Sequence, residues 1–474
     1  MNQVIQSVPP RDGRAVALVL VVLALGFTPV SCAAGPPSRE KVIGRIETAT
    51  VATLLTPKQG DMPVRPKDVD AVRQALWQKY KAEQVKDPTR IKEHKSKQLH
   101  FGSVMRYAYR TVGKKPATGY PLYIALHGGG GTTAAVNDGG WRAMQTYYLG
   151  SVKQGIYLAP RGVSNRWNLH AMQDSYPLYD RLIENMILFE DVDPNRVYLL
   201  GYSAGGDGVY QVTPRMADRF AAANMSAGHH NGVPGTNLYN IPFLMQAGER
   251  DTAYSRHKAT VLYAQGLAKL QKKYGGGYVY DCFVHVGRGH GIVDRDPKEG
   301  PQVVIADINA WLKKGDRKSK KTNTNAIAWV RRHVRNPWPE RVVWDIGTRA
   351  NRSGSKGNLK LWITPNRDKQ FYWLDISRED GKKIEGNLID IRIDKAANAI
   401  TVTKSTTWLR LLLNGNMLDL SKPVTVTVGG KAFTVSPRPN LSTMVRTLVD
   451  RGDPSYCFEA EITIEKAGDA WRVK

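Results

Sequence analysis

Gly201-Tyr202-Ser203-Ala204-Gly205-Gly206 decides how the rest of this chain is read. It follows Arg196-Val197-Tyr198-Leu199-Leu200, an apolar run with the character of a buried strand, and precedes Asp207-Gly208-Val209-Tyr210-Gln211-Val212, which opens a helix. A strand that turns into a helix over G-x-S-x-G turns so tightly that only residues without bulk fit at Gly201 and Gly205. The serine is pushed out at the carboxyl edge of the sheet, where backbone N–H groups and the helix N-terminus favour developing negative charge. The bare pattern recurs by chance, and a tightly packed turn without chemistry is the competing reading.

Working outward, residues 120–312 alternate strand and helix patterns. Strands are predicted at Leu122–Leu126, Gly155–Ala159, Arg196–Leu200, Ala221–Met225, Pro242–Ala247 and Tyr278–Val284, and helices at Trp141–Leu149, Tyr176–Phe189, Thr252–Lys273 and Pro301–Lys313. Alternation of this kind, with apolar and β-branched strands, implies a mostly parallel sheet covered on both faces, with its site outside the carboxyl ends of the strands. Leu99 to Val112 leads into that sheet, and Lys67 to Lys86 carries Val69, Val72, Leu76 and Tyr80 at helical spacing. The run from Lys313 to Asn325 has no apolar residue after Lys314 and reads as a charged linker. Beyond it the pattern changes to hairpins, with Gly429-Gly430 as a two-residue turn and one helix at Leu441–Val449. The expected organisation is a leader over 1–34, a linker and helix over 35–98, a catalytic α/β domain over 99–314, a charged linker over 315–325 and a β-rich accessory domain over 326–474.

At 474 residues with 42% hydrophobic content, the chain is long enough for more than one domain with a real core. The net charge of +26 is spread along the sequence, and no helix-turn-helix, zinc-finger or RNP-type pattern accompanies it, so no nucleic-acid partner is expected. Arg11 and Arg14, the apolar run Ala15 to Phe27 and Ser31-Cys32-Ala33-Ala34-Gly35 form a basic, an apolar and a small-residue region. The apolar run falls short of the about 20 residues of a membrane span, so export to the periplasm, the envelope or the exterior is expected. Two outcomes stay open at its end: lipidation of Cys32, giving peripheral membrane anchoring, or cleavage near Ala33. With Cys282 and Cys457 the only other cysteines, no disulfide framework is expected.

A serine hydroxyl becomes a competent nucleophile when a base takes its proton and an acid orients that base. Pro242–Ala247 is followed by Gly248-Glu249-Arg250-Asp251, and the last strand pattern by Gly287-Arg288-Gly289-His290-Gly291. The order Ser…Asp…His is that of a strand-turn-helix nucleophile elbow. Ser203, Asp251 and His290 are the candidate nucleophile, orienting acid and base, with Glu249 the local rival for the acid and helix capping the competing role for Asp251. His229 and His230 end another strand without a carboxylate or cysteine at ligand spacing, so no metal and no cofactor are expected. His127-Gly128-Gly129-Gly130-Gly131 follows the first strand of the series; its unencumbered N–H groups and that of Ala204 are candidate oxyanion donors, specifically Gly129, Gly130 and Ala204. Trp167 and His127 are candidate pocket residues.

His127–Gly130, Asp193-Pro194-Asn195-Arg196-Val197-Tyr198, Gly201–Gly206 and Gly289-His290-Gly291 together resemble the α/β-hydrolase superfamily of serine esterases. They look most like secreted poly(3-hydroxybutyrate) depolymerase-like, feruloyl and acetyl-xylan esterase-like and phospholipase/carboxylesterase proteins, and prolyl-oligopeptidase-type peptidases share much of the pattern. The resemblance spans about Tyr120 to Leu312. It implies an α/β-hydrolase fold, Ser203 as nucleophile, His290 as base, Asp251 as orienter, and an ester substrate, with acylated polysaccharide and short polyester as candidate classes. A peptidase, or a catalytically silent module that binds polysaccharide, is the alternative. The C-terminal aromatics Trp329, Trp338, Trp344, Trp362, Tyr372, Trp373 and Trp408 admit two uses: a buried core and seam, or an exposed row that stacks on sugar rings.

Overall fold

The computed structural model describes residues 36–295, 298, 300–347, 369–378, 380 and 382–474. The leader, Cys32 and Trp362 therefore lie outside the described residues.

The central sheet has ten strands: β1 (Gln98–Phe101), β2 (Ser103–Val112), β3 (Tyr120–Leu126), β4 (Gly155–Pro160), β5 (Val192–Tyr202), β6 (Ala222–Ser226), β7 (Phe243–Gly248), β8 (Tyr280–His285), β9 (Gln302–Ile305) and β10 (Ser319–Thr322). Their spatial order is β1-β2-β4-β3-β5-β6-β7-β8-β9-β10. The run from β4 through β3 to β8 is parallel, and β1, β2, β9 and β10 pair antiparallel at the two edges. This is the α/β-hydrolase fold. The parallel strands are buried on both faces, which is why Leu122–Leu126 reads as an unbroken apolar run and Phe243–Gly248 as one broken only by buried Gln246. The helices Ser175–Glu190 and Ala204–Val212 bury most of their residues against one face of the sheet. On the other face, Ala134–Tyr147 and the short helix Ala326–Val330 cover Tyr123, Tyr198, Leu200 and Leu244.

Four local expectations are corrected. Residues 301–313 are not one helix: the β-branched run Val303-Val304-Ile305 forms β9, and a separate helix, Ile308–Lys314, starts at Asp307, whose carboxylate accepts from the N–H of Asn309 and of Ala310. The helix expected from Thr252 begins at Arg256, because Tyr254 and Ser255 hold left-handed backbone at φ 54° and 53°. Part of the charged run expected as a linker is the edge strand β10, paired with β9; lysines on such an edge disfavour pairing with a further strand. The stretch from Gly35 to Pro57, expected as a linker, carries the helix Arg39–Thr48 and a short turn of helix, Val51–Leu54. Ser38 and Thr50 cap them, and Val42, Ile46, Val51 and Leu54 pack on Leu441, Met444, Val445 and Leu448 of the C-terminal helix Leu441–Arg451.

The C-terminal region forms two five-stranded sheets, one from Arg341–Asp345, Leu388–Asp394, Ala399–Lys404, Val424–Val428 and Lys431–Val435, the other from Gln370–Phe371, Leu374–Asp375, Trp408–Leu413, Ala460–Ala467 and Ala470–Val473. Its apolar interior is continuous with that of the central sheet. Trp329, Trp344, Tyr372, Trp373 and Trp408 are buried and Trp338 is half-buried. They are core and seam, and do not form an exposed row.

Candidate active site

Ser203 links the last residue of β5 to the helix Ala204–Val212 at φ 58°, ψ −123°. An L-residue rarely adopts this conformation, which costs about 1–3 kcal/mol and persists only where its surroundings impose it. They do so here through glycine. A Cβ on Gly201 would lie 2.2 Å from the Gly205 carbonyl oxygen, and a Cβ on Gly205 would lie 2.0 Å from that of Leu126. The Ser203 N–H donates to the Ser226 carbonyl at 2.9 Å, which fastens the turn to the end of β6.

The structure brings Ser203, His290 and Asp251 together. His290 Nε2 lies 2.9 Å from Ser203 Oγ, and His290 Nδ1 lies 2.9 Å from Asp251 Oδ2. The carboxylate accepts only, so Nδ1 carries the proton and Nε2 is left to accept the serine hydroxyl. Asp251 is buried at the carboxyl end of β7, while the His290 side chain is 40% exposed and can reach a substrate. Behind Asp251, the Arg256 guanidinium stands 3.8 Å from Oδ1, and the Asp251 carbonyl accepts from both the N–H (3.2 Å) and the ring Nδ1–H (2.9 Å) of His257. Glu249 faces elsewhere: its carboxylate accepts from Arg317 at 2.6 and 2.8 Å and from the Gly287 N–H at 2.8 Å. The rivalry is resolved by contacts from Arg317, far along the sequence. Asp251→Asn is expected to lower kcat by about 10⁴-fold, because an amide facing Nδ1 inverts the imidazole tautomer. Glu249→Gln should stay within roughly fivefold, since the partner Arg317 is open to solvent. Steady-state kinetics on one ester measures both.

Gly128 sits directly against the serine: a Cβ there would lie 3.7 Å from Ser203 Oγ. Gly129, Gly130 and Gly131 all have positive φ, which only glycine adopts freely. Of the three candidate oxyanion donors, Gly130 is corrected. Its N–H donates to Asn137 Oδ1 at 2.8 Å inside the protein and cannot also serve a substrate. Among the described residues, the N–H groups of Gly129 and Ala204 donate to no protein acceptor. His127 is also corrected as a pocket residue. It is fully buried, its Nδ1–H donates to the Gly128 carbonyl (2.8 Å), and its Nε2 accepts the Gly162 N–H (3.0 Å). Burial pushes it down to about 4, so it stays neutral and splints the glycine loop to the segment after β4. Trp167 is half-buried, crosses over Gly131 and meets Tyr254 edge-on at 5.8 Å. Tyr254, missed in the sequence, is 64% exposed on the loop that carries Asp251.

His229 and His230 stack face to face beside the helix Ala204–Val212, and Asp207 on that helix accepts the His229 N–H at 2.7 Å. Among the described residues no group of three or more His, Cys, Asp or Glu is placed to hold a metal ion. Beneath the elbow lies a second acid the sequence did not disclose. Asp294 is fully buried and accepts from the hydroxyls of Ser226, Tyr148 (3.2 Å) and Tyr147 (3.3 Å). Burial pushes it up to about 6. A raised carboxyl contributes stability that is complete below its unfolded value of 3.8 and is lost as pH rises through about 6. Asp294→Asn should therefore gain on the parent by up to about 3 kcal/mol between pH 4 and pH 7. Denaturant titrations of both proteins at the two pH values test this; a pH-independent difference would contradict it.

No protein-family model matches this sequence, and no curated protein matches it in sequence. Solved structures do resemble it. A thermostable esterase is 20% identical, covering 50% of this chain and 64% of its own, at a TM-score of 0.34. This chain thus spans less than two thirds of that esterase. LpqC, a poly(3-hydroxybutyrate) depolymerase from Bordetella parapertussis, is 16% identical over 40% of this chain and 79% of its own, at 0.32. Est1E from Butyrivibrio proteoclasticus is 14% identical over 41% of this chain and 88% of its own, at 0.30.

Proposed function

We propose that this protein is an exported serine hydrolase that cleaves carboxylic esters through an acyl-serine intermediate. The observation that carries the reading is the relay from Ser203 Oγ to His290 to Asp251, with both contacts at 2.9 Å. In the first half-reaction His290 Nε2 takes the Ser203 proton as Oγ attacks the ester carbonyl. The carbonyl electrons move onto its oxygen, which the N–H groups of Ala204 and Gly129 stabilise. His290 then protonates the departing alcohol. In the second half-reaction it takes a proton from water, which attacks the acyl-serine, and returns that proton to Ser203 Oγ as the acid is released. Asp251 keeps the imidazole in one tautomer and stabilises its cation without itself taking the proton. No step calls for a cofactor.

The apolar leader motivates export, and Cys32 remains the candidate lipid attachment point. The open rim at Trp167 and Tyr254 suits acyl groups carried on soluble or polymeric alcohols, with acylated polysaccharide or a short polyester as the substrate classes. A panel of acyl esters, acetylated and feruloylated sugars and Pro-containing peptides, assayed with the parent and with Ser203→Ala, tests the reading. Ser203-dependent turnover of esters is expected. Turnover of peptides alone would make the protein a serine peptidase, and polysaccharide binding without turnover would make it a silent module.

A further inference from the structure

The loop that carries His290 is packed on one side only: its Arg288 and Gly289 carbonyls sit against Gly248, where a Cβ would lie 2.5 and 2.0 Å from them. Gly287, Gly289 and Gly291 flank the base, and a Cβ added at any of them would meet nothing within 4 Å. The hydrogen bonds before His290 reach only Gly287 and Arg288: the Gly287 N–H donates to Glu249, and the Arg288 carbonyl accepts the Arg250 N–H at 2.7 Å. After it, the next ties are the Ile292 carbonyl, which accepts from Arg295 Nη1 at 3.2 Å, the Val293 carbonyl, which accepts the Thr324 hydroxyl at 2.6 Å, and buried Asp294. Between these anchors, at His290 itself, the backbone carbonyl accepts one side-chain bond, from Tyr202 Oη–H at 2.8 Å.

Tyr202 is the residue covalently joined to Ser203. Its backbone is held in the sheet opposite Ser226, and its half-buried ring lies between Tyr147 at 5.1 Å and His290 at 5.3 Å. We propose that Tyr202 is a positioning residue: its hydroxyl fixes the base against the strand that presents the nucleophile. The Oγ–Nε2 distance is then set by one rigid element, although the two residues sit 87 positions apart. Asp294 closes the far end of the same loop onto the elbow through Ser226, whose carbonyl holds the Ser203 N–H. Burial keeps the Tyr202 hydroxyl protonated, pushed up to about 12, so it remains a donor throughout the working pH range.

This inference rests on the esterase reading for its kinetic consequence, though not for its geometry. Tyr202→Phe removes the hydroxyl and keeps the ring. A displacement of the base of about 1 Å is worth up to about 100-fold in rate. The variant should lose about 10- to 100-fold in kcat with KM unchanged, should melt with the parent, and should react with a fluorophosphonate more slowly in the same proportion. A kcat within about twofold of the parent, or a KM and melting temperature that move with kcat, would overturn the role. A second readout needs no turnover. The downfield proton signal of His290 Nδ1–H, identified by its disappearance in His290→Ala, should broaden by exchange in Tyr202→Phe; an unchanged signal would also overturn the proposal. A parent without Ser203-dependent turnover would strike the esterase reading instead, and the proton signal would still decide Tyr202.

Discussion

Ser203→Ala is expected to lower ester turnover by about 10⁴- to 10⁶-fold while the fold stays intact. What the variant loses is the attacking atom. Alanine keeps a Cβ, so the strained backbone at φ 58° is neither relieved nor worsened, and the Ser203 N–H bond to Ser226 is retained. The proposed oxyanion donors and base survive in the variant, and any residual activity over water is expected to come from them. Matched circular dichroism melts with a collapse of kcat constitute the expected result. A variant that retains a tenth of the parent's activity would show that another group attacks the ester.

The second large effect concerns the C-terminal region. A chain ending at Gly315 should fail to fold to a soluble protein. It would lose β10, leaving β9 as a bare edge, and would uncover Tyr123, Tyr198, Leu200 and Leu244 beneath Ala326, Ile327, Trp329 and Val330. It would also strand charges. Asp218 and Arg219, both buried on the hydrolase side, meet Arg335, Arg451 and Asp453: Arg335 Nη2 lies 2.7 Å from Asp453 Oδ2, Arg219 Nη1 3.6 Å from it, and Arg451 bonds Asp218. Removing one partner of a buried pair costs about 3–5 kcal/mol, and each uncovered large apolar side chain adds about 1.5–3 kcal/mol. Two such pairs and four such side chains come to about 12–22 kcal/mol, as large as the whole stability of an ordinary domain, about 5–15 kcal/mol. Expression of the two lengths side by side, followed by size-exclusion chromatography, measures the outcome. A monodisperse, active short form would mean that the seam is dispensable.

How much of this could be seen in the sequence differs from residue to residue, and the dividing line is locality. The elbow was legible because part of its demand is local: Gly201 must lack a side chain to clear the Gly205 carbonyl four residues on, whereas the Leu126 carbonyl that excludes one at Gly205 comes from β3. His290 was legible because a short glycine-flanked loop after the last parallel strand leaves few other placements. Glu249 and Asp251 follow the same strand two residues apart, and what separates them is Arg317, which comes from beyond β9 and accounts for where Glu249 points. Gly130 looked like a free donor because nothing near it in sequence says that Asn137 turns its carbonyl oxygen back onto that N–H. The helix Arg39–Thr48 looked like part of a linker because its apolar stripe is short and its partner, Leu441 to Leu448, lies at the other end of the chain. The Tyr202 bond to His290 has no sequence signal at all beyond a tyrosine before the serine.

Ser203 is proposed as the activated nucleophile. Treating the full chain with a fluorophosphonate and digesting it with trypsin tests this directly, because the peptide Val197–Arg215 contains Ser203 as its only serine. An adduct on that peptide is expected, formed by the parent and absent from Ser203→Ala. An adduct on a different peptide, or none on a protein that hydrolyses esters, would contradict it.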